Sequence, residues 1–376
     1  MSGENLPIPD DQQEEENDIT KPVSFKEAVV LNADWTIETI NSQIIKGNID
    51  LRPSFQRRSA WDDIRKSRLI ESIIVGMPLP NIVLAENKEH RGRFIVLDGK
   101  QRLLAVSEFL AGLYKLKGLD IRSDLNDKFF STLPAEDREY LENATIRSTL
   151  VRGWTDQDFL YAIFYRLNSG SLPLSPQELR KALVGGHLLE AIEKYLVDSN
   201  SFKQLFGDVL DKRMRDSELV LRFVAFDRSL TTYRGDFKEL LDNTVRFFED
   251  NWALREADAL RSFARLDSAL DLAHWIFGAD AFKKWLGDRY ERVINRAVFD
   301  CITRFFSDPA VIAASVGQEA QIVEAFKEVC GDIQFRSSIE RTTKSVQATF
   351  YRVDTWGAKL AQCLGRSYDL QSRRIV

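Results

Sequence analysis

The sequence predicts an α+β domain followed by a larger, mainly helical one, on three observations. Short apolar, β-branched runs at 81–85, 94–97 and 145–151 lie among helical segments in the front third of the chain. Beyond about residue 155, apolar positions recur at three- and four-residue spacing almost throughout. The chain has 376 residues, 44% hydrophobic and 29% charged, which is enough for two domains with ordinary cores.

The start of the chain stands apart. Residues 1–20 hold seven acids (Glu4, Asp10, Asp11, Glu14, Glu15, Glu16 and Asp18) and no base. Removing them from the total leaves 52 basic against 50 acidic residues, so the net charge of -5 belongs to the tail and the remainder is nearly neutral. Such a polar, acidic stretch buries too little to fold alone, and residues 1–24 are expected to be a disordered tail.

Structure is expected from about Phe25. Ile37, Ile40 and Ile44 predict a short helix over 36–46, and 49–51 reads as extended. Asp62 or Asp63 caps a helix to Val75 whose stripe is Ile64, Leu69, Ile73 and Ile74; Gly76 and Pro78 end it. The runs 81–85 and 94–97 read as paired strands. Gly99 then opens a helix carrying Leu103, Leu104, Val106, Phe109 and Leu110, which Gly112 closes. The alternation of 114–119 suggests a further strand, as does 145–151. These elements make a domain over 25–153. The helical domain, 154–376, begins with Phe159, Ile163, Phe164 and Leu167 and continues with 176–184, where Pro176 stands near the first helical position. Further helices are expected over 219–226, 237–248, 260–276 and 282–306. Phe247, Phe248, Phe305 and Phe306 read as core.

Several kinds of chemistry are excluded. There is no Gly-x-x-x-x-Gly-Lys-Ser/Thr loop, and no Gly-x-Gly-x-x-Gly follows a strand. Cys301, Cys330 and Cys363 are odd in number, far apart and without zinc-ligand spacing. With no run of eighteen apolar residues and no leader pattern at the start, the expectation is a cytoplasmic protein without a membrane span. His187, after Gly185-Gly186, reads as a C-terminal cap or loop residue, and His274 as a packed one. The last forty-one residues, 336–376, hold eight bases against three acids, a patch that suits nucleic acid or, equally, solubility and helix C-terminal charge.

Asp98-Gly99-Lys100-Gln101-Arg102 is the most informative stretch. It falls where a strand hands over to a helix, whose first turn offers free N–H groups and a positive end to an anion. Gly99 allows close approach to the backbone. Lys100 and Arg102 oppose the helix dipole by about 0.3–1 kcal/mol each unless an anion is present. Arg102 can hold two phosphate oxygens. Asp98 can cap the helix, hold Mg²⁺ beside a phosphate, or act on a water. The competing reading is local: Asp caps and Gly turns, with no ligand. Upstream, residues 52–68 carry Arg52, Arg57, Arg58, Arg65, Lys66 and Arg68 against two acids, with Phe55 and Trp61 interleaved. Basic residues among aromatics suit phosphates and stacked bases. For Arg65, Lys66 and Arg68 a solvated helix face explains the run; Arg52 and Arg57 flank Pro53 before that helix and are less easily explained so.

Together, Arg52-Pro53-Ser54-Phe55-Gln56-Arg57, Trp61, Leu69-Ile70-Glu71-Ser72-Ile73, Pro78-Leu79-Pro80 and Leu97-Asp98-Gly99-Lys100-Gln101-Arg102 resemble the N-terminal domain of GmrSD-type restriction endonucleases. The resemblance continues through Phe164-Tyr165-Arg166-Leu167-Asn168-Ser169-Gly170 and Leu174-Ser175-Pro176-Gln177-Glu178-Leu179-Arg180. It reaches toward Arg215-Asp216-Ser217-Glu218-Leu219 and Arg222. The family motif reads Asp-Gly-Gln-Gln-Arg; here Lys100 replaces one glutamine.

The resemblance implies a ParB/sulfiredoxin-like fold and binding and hydrolysis of a nucleoside triphosphate in a system that detects foreign or modified DNA. Asp98, Gln101 and Arg102 are then the candidate catalytic residues. Arg52, Arg57, Gly99, Lys100 and Asn168 are candidate nucleotide contacts, and Asp98 would be the ligand of Mg²⁺ or another divalent cation. Full-length members of the family carry a histidine-dependent HNH nuclease domain. Here His90, His187 and His274 are too sparse for one, so cutting would fall to a separate nuclease or other defence protein, or to the front domain itself. The alternatives are a non-catalytic DNA-binding or regulatory module and a ParB-like nuclease.

Overall fold

Residues 28–51, 61–88, 90–154, 159–160, 162–163, 167, 175–211, 213–341 and 343–376 are described by the computed structural model. The expected tail, 1–24, lies outside them. So do most of residues 155–174, where the sequence places the passage between its two domains. The chain divides into two units, one spanning Ile19–Leu174 and one holding Ser175–Val376.

In the first unit the described elements run β1 (Val29–Thr36), α1 (Ile37–Ile45), β2 (Ile49–Asp50), α2 (Asp63–Ile74), β3 (Ile82–Glu86), β4 (Phe94–Asp98), α3 (Lys100–Leu110), α4 (Ala135–Asn143) and β5 (Thr145–Arg152). The strands form one mixed sheet in the order β1-β5-β3-β4-β2. β1 pairs antiparallel with β5, and β3 antiparallel with β4; β3–β5 and β2–β4 are parallel. Ile82 and Leu84, Phe94 and Val96, and Ile146 and Leu150 alternate along their strands. They join Ile37, Ile40, Ile70, Ile73, Leu103 and Val106 of the helices in one core. Val83, Ala85, Leu97 and Val151, on the opposite parity, are buried as well. Burial on both faces is why these central strands read as continuous apolar runs.

The helix ends follow local chemistry. Thr36 accepts from the Thr39 amide and caps α1, and Asp62 accepts from the Arg65 amide and caps α2. Three features differ from expectation. β1 and α4 were not anticipated. The stretch 114–119 is not a strand, although Tyr114, Leu116 and Leu119 are buried. Its Leu116 exchanges hydrogen bonds with the loop residues Asp127 and Lys128, and the Lys117 amide donates to Ser67 Oγ. The alternation was real, but its backbone partner is a loop.

The second unit holds α5 (Pro176–Leu183), α6 (His187–Asp198), α7 (Asn200–Phe206), α8 (Arg215–Ser229), α9 (Phe237–Glu249), α10 (Trp252–Phe277), α11 (Arg296–Phe306), α12 (Pro309–Ser315), α13 (Glu319–Gly331), α14 (Ile333–Glu340) and α15 (Val346–Cys363). A small antiparallel pair, β6 (Tyr368–Asp369) and β7 (Arg374–Ile375), closes it. Its core includes Phe248, Phe305, Phe306 and Trp356, with Phe247 half-buried against it. Cys301 and Cys330 are buried and Cys363 half-buried, all as free thiols. The helix expected over 282–306 begins only at Arg296. Before it, Phe282 takes a left-handed φ of 61°, Trp285 bridges Tyr290, and Asn295 caps α11. His187 is a first-turn residue of α6 rather than a C-terminal cap. Its Nδ1 lies 3.0 Å from Glu249 Oε2 and its ring stacks on Trp252. Among the described residues no helix is long and apolar enough to cross a membrane.

Candidate functional site: the β4–α3 junction

Asp98 ends β4. It is in register with Val83, and a bulge between Val83 and Leu84 breaks the ladder beside it. Such an irregularity re-aims a side chain at a strand end. Gly99 follows with φ 94° and is the N-cap of α3, and no side-chain hydrogen bond caps this helix. Asp98 therefore does not act as the cap.

Its carboxylate meets Arg102 instead. Arg102 Nη2 donates to Asp98 Oδ2 at 2.6 Å. The same guanidinium donates from Nη1 to the carbonyl of Pro80 at 2.5 Å and from Nη2 to that of Asn81 at 3.2 Å. The Arg102 side chain is 11% exposed and that of Asp98 33%. Arg102 thus ties the Pro80-Asn81 approach to β3 onto the start of α3. It also brings its own counter-charge, so the cation near the positive helix end is neutralised without any ligand.

Gly99 is required twice over. Its φ lies in the left-handed region that disfavours side chains. A Cβ there would also stand 2.5 Å from Ile82 Cγ2 and 3.2 Å from Arg102 Nη2. The space beside its Cα is filled by the protein itself. Lys100 and Gln101 occupy the first turn of α3, each with interactions of its own. Asp98, Gly99, Lys100, Gln101 and Arg102 thus gather at one junction. Arg52, Arg57 and Asn168 lie outside the described residues.

Of the other bases in the 52–68 run, Arg58 also lies outside the described residues, and Lys66 and Arg68 have local partners. Lys66 pairs with Glu108 at 2.7 Å and lies over the Tyr114 ring, Arg68 pairs with Asp120 at 3.3 Å, and Arg65 is exposed. Sequence reasoning missed the carbonyls of Pro80 and Asn81, because a backbone acceptor some twenty residues away has no side-chain signature. It also gave no role to Glu71. That carboxylate is buried and accepts from the amides of Asp120 (3.3 Å), Ile121 (2.7 Å) and Arg122 (2.7 Å). Burial pushes its pKa up, but those three amides and Arg68 outweigh burial and hold it below the ordinary value of 4.5.

Among the described residues no group of three His, Cys, Asp or Glu side chains gathers as a metal site. Among the described residues a divalent cation at Asp98 would find one carboxylate and would need phosphate and water oxygens for much of the rest. Mg²⁺ commonly accepts that division.

The motif residues of the second unit also come together. Gln177 donates to Ser217 Oγ at 3.2 Å, and Arg180, fully buried, donates to Gln177 and, at 2.7 Å, to Asp242 on α9. Arg296 reaches Glu218 at 2.9 Å, and Arg222 pairs with Asp300. Ser175 caps α5 in a reciprocal box with Glu178. These residues build a buried polar seam between helices.

The family model of the GmrSD restriction endonuclease N-terminal domain matches residues 37–185. No curated protein and no solved structure matches the chain. The matched span holds α1 to α4, the Asp98–Arg102 junction and the capped start of α5. Over residues 37–185 the chain therefore carries a domain of the GmrSD restriction endonuclease N-terminal family.

Proposed function

We propose that the first unit binds a nucleoside triphosphate at the β4–α3 junction, and that the chain is a nucleotide-dependent component of a restriction or phage-defence system acting on DNA in the cytoplasm. The single observation carrying this reading is the position of the Asp98–Arg102 ion pair at a helix start without a side-chain cap, inside the span that matches the family model. Helix starts of this kind suit phosphate. On this reading the unit is ParB/sulfiredoxin-like.

The geometry suggests how a ligand would enter. Arg102 uses three of its five N–H donors on Asp98 and two carbonyls, and exchanging the Asp98 carboxylate for a phosphate oxygen would turn one side of its fork to a ligand. That exchange frees Asp98 for Mg²⁺ or for the attacking water, with the first-turn amides and Lys100 adding positive potential. Gln101 would orient the water, and Arg52, Arg57 and Asn168 would add contacts from outside the described residues. Bound Mg²⁺ would supply charge neutralisation on the phosphates.

A second reading is favoured by the same contacts. If Arg102 stays on Pro80, Asn81 and Asp98, the junction is a structural pin in a non-catalytic DNA-binding or regulatory module. Phosphate release from each of the four nucleotides, with Mg²⁺ and with or without DNA, separates the two. Release that Asp98→Asn abolishes without loss of folding supports the first. Neither binding nor release of any nucleotide in the folded chain overturns it.

A further inference from the structure

The terminal basic stretch is carried by the fold into a charge cluster of the second unit. Arg265 on α10 donates from Nη1 to both oxygens of Asp227 at 2.8 Å. Arg374 Nη2 on β7 lies 3.6 Å from the same carboxylate, and Arg304 Nη1 on α11 lies 4.0 Å from it. One carboxylate near the end of α8 therefore faces three guanidinium groups. Beside it opens a recess of about 660 Å³ lined by Arg228, Arg304 and Arg374, with Thr231, Gln371 and Ser372. Asp227 and Asp369 line it as well, but both are engaged: Asp227 by Arg265, and Asp369 by the amides of Gln371 and Ser372 and the Ser372 hydroxyl. Asp308 stands 4.0 Å from Arg374 Nη1. Three arginines, Arg265, Arg304 and Arg374, thus share two carboxylates, Asp227 and Asp308, and the exposed Arg228 adds a fourth positive charge at the recess.

Arg304 is the buried one of the three that line the recess. Its side chain is 4% exposed, and its Nη2 donates to the carbonyls of Ser372 (3.1 Å) and Arg373 (3.3 Å). Its Nε has no hydrogen-bond partner among the described residues. Burial first, then the Arg374 and Arg265 charges, push its pKa down to about 10 against the pull of Asp227. A buried cation crowded by like charges is stabilised by an incoming anion.

We propose that this recess is an anion site that takes a phosphate group, separate from the β4–α3 junction. Guanidinium forks match tetrahedral oxyanions through paired N–H donors. Here they come from three elements (α8, α11 and β7), with the Thr231 hydroxyl and the Gln371 side-chain amide as neutral donors around the opening. The phosphate is that of a free nucleotide or of a nucleic-acid backbone, which share this chemistry.

Hydrogen exchange of the full chain tests the site locally, because the β6–β7 hairpin forms one wall. Pyrophosphate, at ionic strength matched with chloride, is expected to slow exchange in residues 368–376. Arg374→Gln and the exposed Arg228→Gln are each expected to weaken that protection about tenfold, the loss of one charge-assisted hydrogen bond, whereas Lys100→Ala in the first unit leaves it unchanged. A short single strand of DNA and its duplex form the second arm. Protection by DNA assigns the recess to backbone phosphate, and protection by pyrophosphate alone assigns it to a free phosphate. Protection equal in matched chloride, equal in both arginine variants, or undetectable with every probe overturns the site.

Discussion

Arg102 shows how a single contact changes the meaning of a motif. A cation at a helix start is unfavourable in isolation by about 0.3–1 kcal/mol, and from the sequence this implied a missing anion. In the folded chain Asp98 is that anion, held at 2.6 Å and one helical turn away. Arg102→Ala is therefore expected to lower stability by about 1.5–3 kcal/mol, since it strands two carbonyls and a carboxylate. Urea denaturation followed by circular dichroism measures this, and an unchanged midpoint would show that the pin does not form. Arg102→Lys keeps the charge but not the fork. A nucleotide affinity lost in Arg102→Lys at near-native stability would mean the guanidinium serves ligand as well as fold. At Gly99 the expected cost of Gly99→Ala is about 1–3 kcal/mol from overpacking against Ile82 alone. In the Ile82→Ala background the further cost of Gly99→Ala should be smaller, leaving the part due to φ. Strictly additive losses in the double variant would place the strain elsewhere.

Among the elements, those with strong periodicity or a capping residue were legible in the sequence, and those lacking both were not. α1, α2, α3 and the strands β3, β4 and β5 stand within a residue or two of where their patterns put them. β1 escaped because it is an edge strand whose residues 29–32 are all exposed, so no alternation marks it. α4 escaped because Leu141 is the one buried apolar residue in its nine positions, too few for a stripe. The stretch from Phe282 to Ile294 imitates helical spacing while its backbone turns through a left-handed residue. For the candidate site, the junction could be read from Asp98-Gly99, because strand, glycine and helix are local; its partners could not, because Pro80 and Asn81 contribute only carbonyls. Glu71 gives a pH signature of the same kind. Its folded pKa lies below 4.5, so its stabilising effect is fully present above about pH 4.5 and is lost as the pH falls through the folded value. Glu71→Gln is expected to cost about 1.5–3 kcal/mol near neutrality, from the lost charge-assisted bonds to the 120–122 amides. The gap from the native chain should narrow as the pH is lowered through the acid range. A gap that stays constant with pH would show that Glu71 acts through packing rather than charge. In the second unit, Arg180→Met leaves the buried Asp242 with Lys238 as its remaining salt-bridge partner. Breaking one side of a buried pair costs about 3–5 kcal/mol, so thermal melting should drop sharply. An unaltered melt would mean the seam is dispensable.

For the whole molecule, the expectation concerns what the chain does by itself. His187 is engaged with Glu249 and Trp252, and His274 is half-buried on α10. Among the described residues no three metal-ligating side chains assemble. The purified chain is thus expected not to cleave unmodified duplex DNA with Mg²⁺ or Mn²⁺, and cleavage is expected to require a separate nuclease. Metal-dependent cutting by the chain alone, abolished by Asp98→Ala, would instead make the first unit a ParB-like nuclease.

The distribution of thiols makes one further property of the molecule measurable. Cys301, Cys330 and Cys363 all belong to the second unit, and the first has none. Burial raises the Cys301 thiol to about 12 and the Cys330 thiol to about 11, so in the native state neither supplies much reactive thiolate. Their modification by a disulfide reagent must therefore wait for the helices around α11 and α13 to open, and its rate reads the frequency of that opening. The half-buried Cys363 serves as an internal fast standard. A variant that loosens only the first unit should leave the two slow rates unchanged, whereas one that breaks the helical seam should accelerate both. The chain thus carries its own clock for one half of the molecule, readable without a label.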